Sequence, residues 1–257
     1  MELKLRPEIP EDKIIQIRKN TKKIDFTKPF RFIYLDFWFE LLIFPLFVIC
    51  FVIVTFCGIF FSFRIEGRKN KKIFGKRGCI TISNHCHYFD TVFASYVFFP
   101  KRLYITVAQR NYEVPFIRRI LRFLRAFPIP ATSMGFNMIT RPIGEALAQG
   151  HHVHFLPEGE LVHLSQTIHR FRPGAFYQSY LHQAPIVPMV YILKRRRLFG
   201  KQMRPNWITV RLVIGEPIFP PVPNGEKGFP KEELAEMSER AASWMEQTIA
   251  AHHGADS

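Results

Sequence analysis

The chain has 257 residues, which suits one sizeable α/β domain with an accessory segment and leaves too little length for two catalytic domains. Apolar residues make up 47% and charged residues 22%, a composition that excludes a disordered or low-complexity protein. The net charge of +15 indicates an acidic partner, such as anionic lipid, a phosphorylated acyl carrier or nucleic acid. The 4 cysteines form no C-x-x-C pair, which favours a reducing compartment over a disulfide framework.

The first long element is an apolar run over 41–63, which carries no formal charge. At about 1.5 Å per residue, a helix of this length can cross a hydrocarbon core of about 30 Å. We therefore expect residues 1–63 to form an N-terminal membrane-anchor segment and residues 64–257 to form an α/β domain. Pro45 could break the run into a shorter helix pair, so spanning and monotopic anchors both remain open.

Basic residues predict the orientation of the anchor. Residues 64–77 carry seven lysines and arginines, whereas residues 21–40 carry four. The positive-inside rule therefore places the domain after the anchor on the cytoplasmic side of the membrane.

Beyond the anchor, short apolar runs alternate with longer helical patterns, which predicts an α/β fold with a mixed central sheet flanked by helices. Strands are expected at 79–83, 103–108, 152–156, 186–192 and 207–214. Helices are expected at 91–98, 114–125, 141–149, 174–182 and 231–251.

The helix predicted at 114–125 carries an unusual stripe of arginines. Arg118, Arg122 and Arg125 share one side at helical spacing, with aromatic and aliphatic residues elsewhere. This pattern is typical of a helix that lies on a membrane surface, and it is equally compatible with an ordinary solvated face.

Chemically capable side chains cluster between the first predicted strand and the helix that follows it. A histidine beside a carboxylate is a base with an orienting group, and this turn contains His85, His87 and Asp90. On a regular helix His87 would share a face with Asp90, so periodicity slightly favours His87. If His85 is the base, it must lie on the loop before the helix and reach back towards Asp90.

Four sequence blocks in order resemble the glycerolipid acyltransferase (PlsC-like) family, which includes 1-acyl-sn-glycerol-3-phosphate acyltransferases. The first is Asn-His-x-x-x-x-Asp, formed by Asn84, His85 and Asp90. The others are Leu-Pro-Glu-Gly-Glu at 156–160, Phe-Arg-Pro-Gly-Ala-Phe at 171–176 and Ile-Val-Pro-Met-Val at 186–190. The resemblance covers roughly residues 75–215, and an N-terminal membrane segment also suits the family.

The resemblance implies an O-acyltransferase of phospholipid biosynthesis. His85 would deprotonate a hydroxyl of a lysophosphatidate-like acceptor, which then attacks the thioester of acyl-CoA or acyl carrier protein, and Asp90 would orient His85. The transfer would be direct, with no covalent enzyme intermediate, no further cofactor and no metal. The implied substrate-binding residues are Asn84, Glu158, Gly159, Arg172 and Pro188.

Within that set, Glu158 and Gly159 would shape the acceptor and thioester site, where a backbone N–H could meet the oxyanion. Residues 186–190, which include Pro188, would wall the acyl site.

The chain departs from the family where two arginines usually bind phosphate. Ala131 or Ser133 stands at the first position, and Glu160 with Leu161 replaces the Thr-Arg of the second. Arg172 and Arg125 could take over this role because a guanidinium binds phosphate bidentately from several directions. Otherwise the acceptor is another hydroxylated lipid.

Alternative functions remain open at this point. The same histidine and aspartate could activate water in a lipid hydrolase, or they could be structural in a basic membrane-surface binding protein. A metal site built from His85, Cys86 and His87 with the histidines of 151–154 is a further alternative, although histidines on strand faces are the default. The cluster at 194–197 suits anionic lipid or an acidic acyl donor, and we do not expect nucleic acid as a partner.

Overall fold

The computed structural model describes residues 5–13, 21–26, 28–60, 62–70, 77–198, 201–202, 208–223 and 229–254. Its α-helices are α1 (Phe37–Phe60), α2 (Asp90–Phe98), α3 (Gln109–Tyr112), α4 (Pro115–Phe123), α5 (Ser133–Ala148), α6 (Gly174–His182) and α7 (Lys231–Gly254). Its strands are β1 (Arg64–Glu66), β2 (Ile80–Ser83), β3 (Leu103–Ala108), β4 (Ala126–Ile129), β5 (His152–Phe155), β6 (Ile186–Arg195), β7 (Arg197–Leu198), β8 (Lys201–Gln202) and β9 (Ile208–Ile214).

Among the described residues, the main sheet has 7 strands in the order β1-β9-β6-β2-β5-β3-β4. The pair β6–β9 is antiparallel and the other neighbours are parallel. β7 and β8 form a separate two-stranded ribbon. The predicted fold class, a mixed central sheet flanked by helices, is confirmed.

The two faces of the sheet bury different sets of side chains, because successive residues of a strand point to opposite faces. On β6, Ile186 and Val190 pack with residues of α5, α6 and α7. Val187 and Tyr191, on the opposite face of the same strand, pack with residues of α2. α1 also lies on this second face, where its Val54 joins the α2 cluster.

Most predicted elements are present with shifted ends, and the exceptions have physical reasons. β4 lies between the helices predicted at 114–125 and 141–149, where no strand was expected. It contains Pro128, which an edge strand tolerates because the missing N–H needs no partner there. α5 begins at Ser133 rather than at residue 141, because the Thr132 hydroxyl caps it by accepting the Gly135 N–H at 3.2 Å. Residue 207, the predicted start of the last strand, lies outside the described residues.

The segment before α1 is not separate from the α/β body. Phe32 and Ile33 are buried in the core beneath α5, α6 and α7. Further upstream, Arg6 donates to Glu239 at 2.9 Å and to Glu246 at 2.8 Å, and both carboxylates belong to α7. The expected division at residue 63 is therefore a change in composition and not a boundary in packing.

α1 combines one narrow packed stripe with a broad exposed apolar surface. Ile43 and Val54 are buried against the body, and the ring of Phe51 stacks 4.7 Å from that of Tyr96 on α2. The helix continues through Pro45 without a break. Among the described residues, one helix, Phe37–Phe56, is long and apolar enough to cross a membrane. Its large exposed side chains include Trp38, Leu42, Phe44, Ile49, Ile53 and Phe56.

Candidate active site

The histidines and aspartate of the first sequence block lie at the carboxyl end of β2. Because α2 begins at Asp90, residues 84–89 form the turn between strand and helix. β5 and β3 run parallel to β2, so their carboxyl ends lie at the same edge of the sheet as this turn. Ligands of open α/β sheets bind at such edges.

His85 and Asp90 form a hydrogen-bonded pair in this turn. The Nδ1 atom of His85 lies 3.2 Å from Oδ2 of Asp90, whose side chain is fully buried. The same oxygen accepts the backbone N–H groups of Cys86 and His87, each at 2.8 Å, so the carboxylate is fixed in place. The His85 side chain remains 21% exposed. This arrangement directs Nδ1 to the carboxylate and leaves Nε2 as the nitrogen that can take a proton from a substrate.

The second candidate histidine, His87, contacts Asp90 through its backbone. Its ring is buried, and Nδ1 accepts the backbone N–H of Phe89 at 3.3 Å. Burial lowers the pKa of His87. Helical periodicity favoured His87, but the residues before Asp90 form a turn, so helical spacing does not apply to them. The imidazole that the structure pairs with the carboxylate is that of His85.

Asn84 and Tyr191 hold the two ends of the turn on β6. The Asn84 side chain accepts the Tyr191 N–H at 2.8 Å and donates to the Tyr191 carbonyl at 3.1 Å. The Tyr191 hydroxyl donates to the backbone carbonyl of Asp90. Asn84 was expected to touch substrate; it is buried with its polar atoms bound to β6, so it positions the turn. Tyr191 sits in an apolar strand, and nothing in the sequence distinguishes it from a core residue.

Glu158 lies behind the site and not on its surface. Its side chain is buried, and this burial raises the pKa of the carboxyl to about 8, although hydrogen bonds from the backbone of His85 and His169 act in the opposite direction. Nearby Asp90 adds to the rise. The structure thus brings Glu158 close to His85 but gives it little access to a substrate, contrary to its expected role in substrate binding.

Gly159 and Arg172, which belong to two different sequence blocks, lie next to each other. Gly159 has φ +81°, and a Cβ at this position would approach Nε of Arg172 within 2.6 Å. The Arg172 side chain is exposed, and its backbone N–H donates to the Pro157 carbonyl at 2.8 Å. Glycine is therefore needed both for the left-handed backbone and for the guanidinium that crosses it. The Gly159 N–H bonds the Leu156 carbonyl and is not the expected oxyanion donor.

A second guanidinium lies beside the same turn and is already paired. Arg110, on α3 directly after β3, forms an ion pair with Glu160. No sequence pattern distinguishes Arg110, because its partner is 50 residues away. Arg125, the other suggested phosphate ligand, forms a hydrogen bond of 2.5 Å to Glu40 at the base of α1 and is not an available ligand.

Pro188 lies away from the site. Its neighbours on β6 alternate between the faces of the sheet, and the side chain of Pro188 lies on the face covered by α7, next to Gly215 and Trp244. Pro188 thus packs on the α7 side of the sheet, and its expected role as a wall of the acyl site stays a prediction. Even-numbered residues of this stretch, such as Ile186 and Val190, face the α7 side, whereas Val187 faces α2.

The remaining histidines of the sequence pattern lie inside the sheet. His154 is fully buried, with Nδ1 2.8 Å from the Thr81 hydroxyl, and burial lowers its pKa to about 3. His152 lies two residues earlier on β5, with Nδ1 3.1 Å from the Cys79 sulfur. Across the described parts of the chain, no group of three or more His, Cys, Asp or Glu side chains is placed to hold a metal ion.

An apolar cavity lies along α2, the helix that begins at Asp90. It is lined by Thr91, Val92, Ser95, Tyr96 and Phe99 of α2, by Phe47, Cys50, Phe51 and Val54 of α1, and by Ile105, Val107, Leu121, Leu124 and Ala126. The cavity has a volume of about 80 Å³ and is partly open to the outside, so it is smaller than the roughly 300–1,000 Å³ of typical ligand pockets. The lining is almost wholly apolar, which suits a hydrocarbon chain.

Comparisons with known proteins identify the family and agree with the fold. A family model described as Acyltransferase matches residues 62–192, about half of the chain. The crystal structure of PlsC from Thermotoga maritima, a 1-acyl-sn-glycerophosphate (LPA) acyltransferase, is similar with a TM-score of 0.50 and 19% sequence identity. That similarity covers 74% of this chain and 72% of PlsC, and at this identity it concerns the fold. No curated protein sequence matches the chain.

Proposed function

Because the chain belongs to the acyltransferase family, we propose that it transfers a fatty acyl group from acyl-CoA or acyl carrier protein to a hydroxyl of a lysophosphatidate-like acceptor at a membrane surface. The observation that carries this proposal is the pair of His85 and Asp90, with the carboxylate held by two backbone N–H groups. A base fixed in this way can act without being reoriented during the reaction.

The transfer follows from the geometry of that pair. The acceptor hydroxyl gives its proton to Nε2 of His85 while its oxygen attacks the carbonyl carbon of the thioester. The resulting imidazolium is stabilised by Asp90 across the 3.2 Å hydrogen bond. When the tetrahedral intermediate collapses, the carbon–sulfur bond breaks and the thiolate takes the proton from His85. The ester and the free thiol are the products, and the enzyme returns to its starting state.

The apolar cavity is the proposed site of the acyl chain. Thr91, which lines it, directly follows Asp90, so a chain lying in the cavity has its carbonyl end near His85. The cavity extends along α2 to Phe99 and to Leu124 after α4. The apolar cavity suits the hydrocarbon chain of the donor better than it suits the donor's polar thioester group.

The acceptor headgroup is assigned to the turn at 158–160. Arg172, exposed and lying across Gly159, is the proposed ligand of an anionic headgroup. Glu160 neutralises Arg110 on the other side of the turn, which weakens the local positive field. We therefore propose an acceptor whose phosphate is held mainly by one arginine.

The membrane association that we propose is made by α1 lying in the plane of one leaflet. A spanning helix would place the residues before and after it on opposite sides of the membrane. Here Phe32 before α1 and Ile80 after it lie in the same core. Burial of Ile43 and Val54 also keeps α1 against the body for several turns, while its other sides are apolar and exposed. The body would then sit on the cytoplasmic side, where the basic residues at 64–77 meet anionic lipid.

An assay with purified protein, palmitoyl-CoA and a panel of lysolipids tests the proposal. The expected result is free thiol and a diacyl lipid in equal amounts, with phosphorylated acceptors preferred. Release of fatty acid without a diacyl lipid would assign a hydrolase. Absence of turnover with palmitoyl-CoA and with palmitoyl-acyl carrier protein would favour a binding protein. Because no metal is expected in the reaction, addition of a chelator should leave the rate unchanged.

A further inference from the structure

Two of the three arginines of α4, Arg118 and Arg122, lie on the side that faces the protein. Arg118 donates from Nε to the Tyr112 carbonyl at 2.8 Å and from Nη2 to the Lys22 carbonyl at 3.1 Å. The guanidinium of Arg122 lies 5.4 Å from the centroid of the Tyr34 ring. These arginines therefore bind groups of the chain itself, and the expectation that they face lipid or solvent is wrong.

Just beyond α4, Arg125 ties this helix to the base of α1. Its Nε donates to Glu40 at 3.2 Å, and its guanidinium lies 3.8 Å from the centroid of the Phe47 ring. Both partners belong to α1. The two helices are thus held side by side, with the apolar cavity between them.

The outer side of α4 is apolar. Phe116 is 73% exposed, Ile120 44% and Phe123 37%, and their spacing places them on one face of the helix. Arg119, which is also exposed, lies at the edge of this face. A helix with charges inward and aromatic residues outward is the reverse of the usual surface helix of a soluble protein.

We propose that the face formed by Phe116, Ile120 and Phe123 inserts into the lipid interface beside α1, as a second membrane-binding element. This inference rests on the proposed membrane association of α1. It implies that the body contacts the bilayer along α1 and α4, two of the three helices that border the apolar cavity. An acyl chain that has partitioned into the membrane then reaches the cavity without crossing water.

Two observations favour lipid over a protein partner on this face. The first is continuity, because α4 lies beside α1, whose exposed apolar side chains are proposed to enter the same leaflet. The second is charge, because Arg119 stands beside the apolar side chains and the whole chain carries +15, which suits anionic headgroups.

The first test measures partition onto vesicles of phosphatidylethanolamine containing phosphatidylglycerol. The combined change Phe116→Ser, Ile120→Ser and Phe123→Ser removes the apolar face and should weaken partition by about tenfold or more. Phe219→Ser is the control, because Phe219 is 66% exposed and lies far from α4 in the sheet. It follows Ile218, which pairs with Ile186 at the start of β6, at the end of the strands opposite the candidate site. The control should bind like the parent, and circular dichroism checks that both variants fold. Equal partition of the triple variant and the parent would overturn the proposal.

The second test reports directly whether residues of α4 and α1 enter the bilayer. In a background with Cys50→Ser and Cys57→Ser, a fluorophore is placed at Phe116→Cys on α4 or at Phe44→Cys on α1, and doxyl-labelled lipids act as quenchers. Quenching at both positions is the predicted result. Quenching at residue 44 alone would refute insertion of α4 and leave the α1 anchor intact. Quenching at neither position would refute the proposed membrane association itself.

Discussion

The Tyr191 hydroxyl donates a hydrogen bond to the backbone carbonyl of Asp90, the residue whose side-chain carboxylate pairs with His85. The backbone of Tyr191 is also paired with the Asn84 side chain, so one residue of β6 holds both ends of the turn. The geometry of the proposed base therefore depends on a strand that contributes no group to the reaction.

Tyr191→Phe should reduce kcat by about fivefold with little change in KM, because it removes one hydrogen bond worth about 1 kcal/mol from the support of Asp90. Tyr104→Phe is the matched control. Tyr104 lies on β3, its side chain is also buried, and its hydroxyl donates to the Tyr34 carbonyl at 3.0 Å. Steady-state kinetics and thermal unfolding of both variants separate a positioning role from a loss of stability. If both variants lose kcat equally, Tyr191 has no special role.

Glu158 should make the protein less stable as the pH rises. Its pKa is about 8 in the folded protein, against an ordinary value of 4.5, so the folded state binds the extra proton between about pH 5 and 8. Stability is therefore greatest near the lower limit, falls as the pH rises through this window and levels off above it. Glu158→Gln removes this contribution, so the melting temperature should decline less between pH 6 and pH 9 than it does in the parent. Glu145→Gln, at an exposed helix position, should decline as the parent does.

Acceptor selection should respond to the charges around the turn at 158–160. Arg172→Ala should raise KM for lysophosphatidate by about tenfold and leave KM for monoacylglycerol nearly unchanged, because only the former presents a phosphate to the guanidinium. Glu160→Gln should lower KM for lysophosphatidate by freeing Arg110. Arg170→Ala, which removes an exposed arginine paired with Glu8, is the control. Equal effects of Arg172→Ala on both acceptors would refute the assigned headgroup site.

Leu124→Trp should shorten the preferred acyl chain. Leu124 lines the part of the cavity near Phe47, whereas Thr91 marks the end next to Asp90. A larger side chain at the far end should leave kcat/KM for short acyl-CoA substrates intact and reduce it for palmitoyl-CoA. Leu181→Trp, outside this cavity, should leave the chain-length profile unchanged. An unchanged profile in Leu124→Trp would place the acyl chain elsewhere.

The sequence predicted the strands that lead into the site, because short apolar runs bounded by turn residues are a local signal. It could not choose between His85 and His87, since that choice depends on where α2 begins. It also found the arginine stripe of α4 but assigned it to the wrong side, because Glu40, the partner of Arg125, lies 85 residues away. Periodicity identifies the faces of a helix and does not reveal which face is packed.

Long-range contacts explain the other differences. Pro188 belongs to the sequence block 186–190, but which side of β6 it occupies depends on the register with β2. The burial of Phe32 in the main core likewise follows from the tertiary fold and not from local composition. These contacts explain why residue 63 is not a boundary in packing and why Pro188 packs on the α7 side of the sheet.

If the imidazole of His85 is the base, the variants His85→Ala and His87→Ala must differ in activity. Thiol release from palmitoyl-CoA with lysophosphatidate is followed for both variants and the parent, with equal amounts of folded protein. We expect His85→Ala to lose activity by about 10²–10⁴-fold, whereas His87→Ala keeps a substantial part of it. A His85→Ala enzyme that retains most of its activity, or a greater loss in His87→Ala, would contradict this assignment of the base.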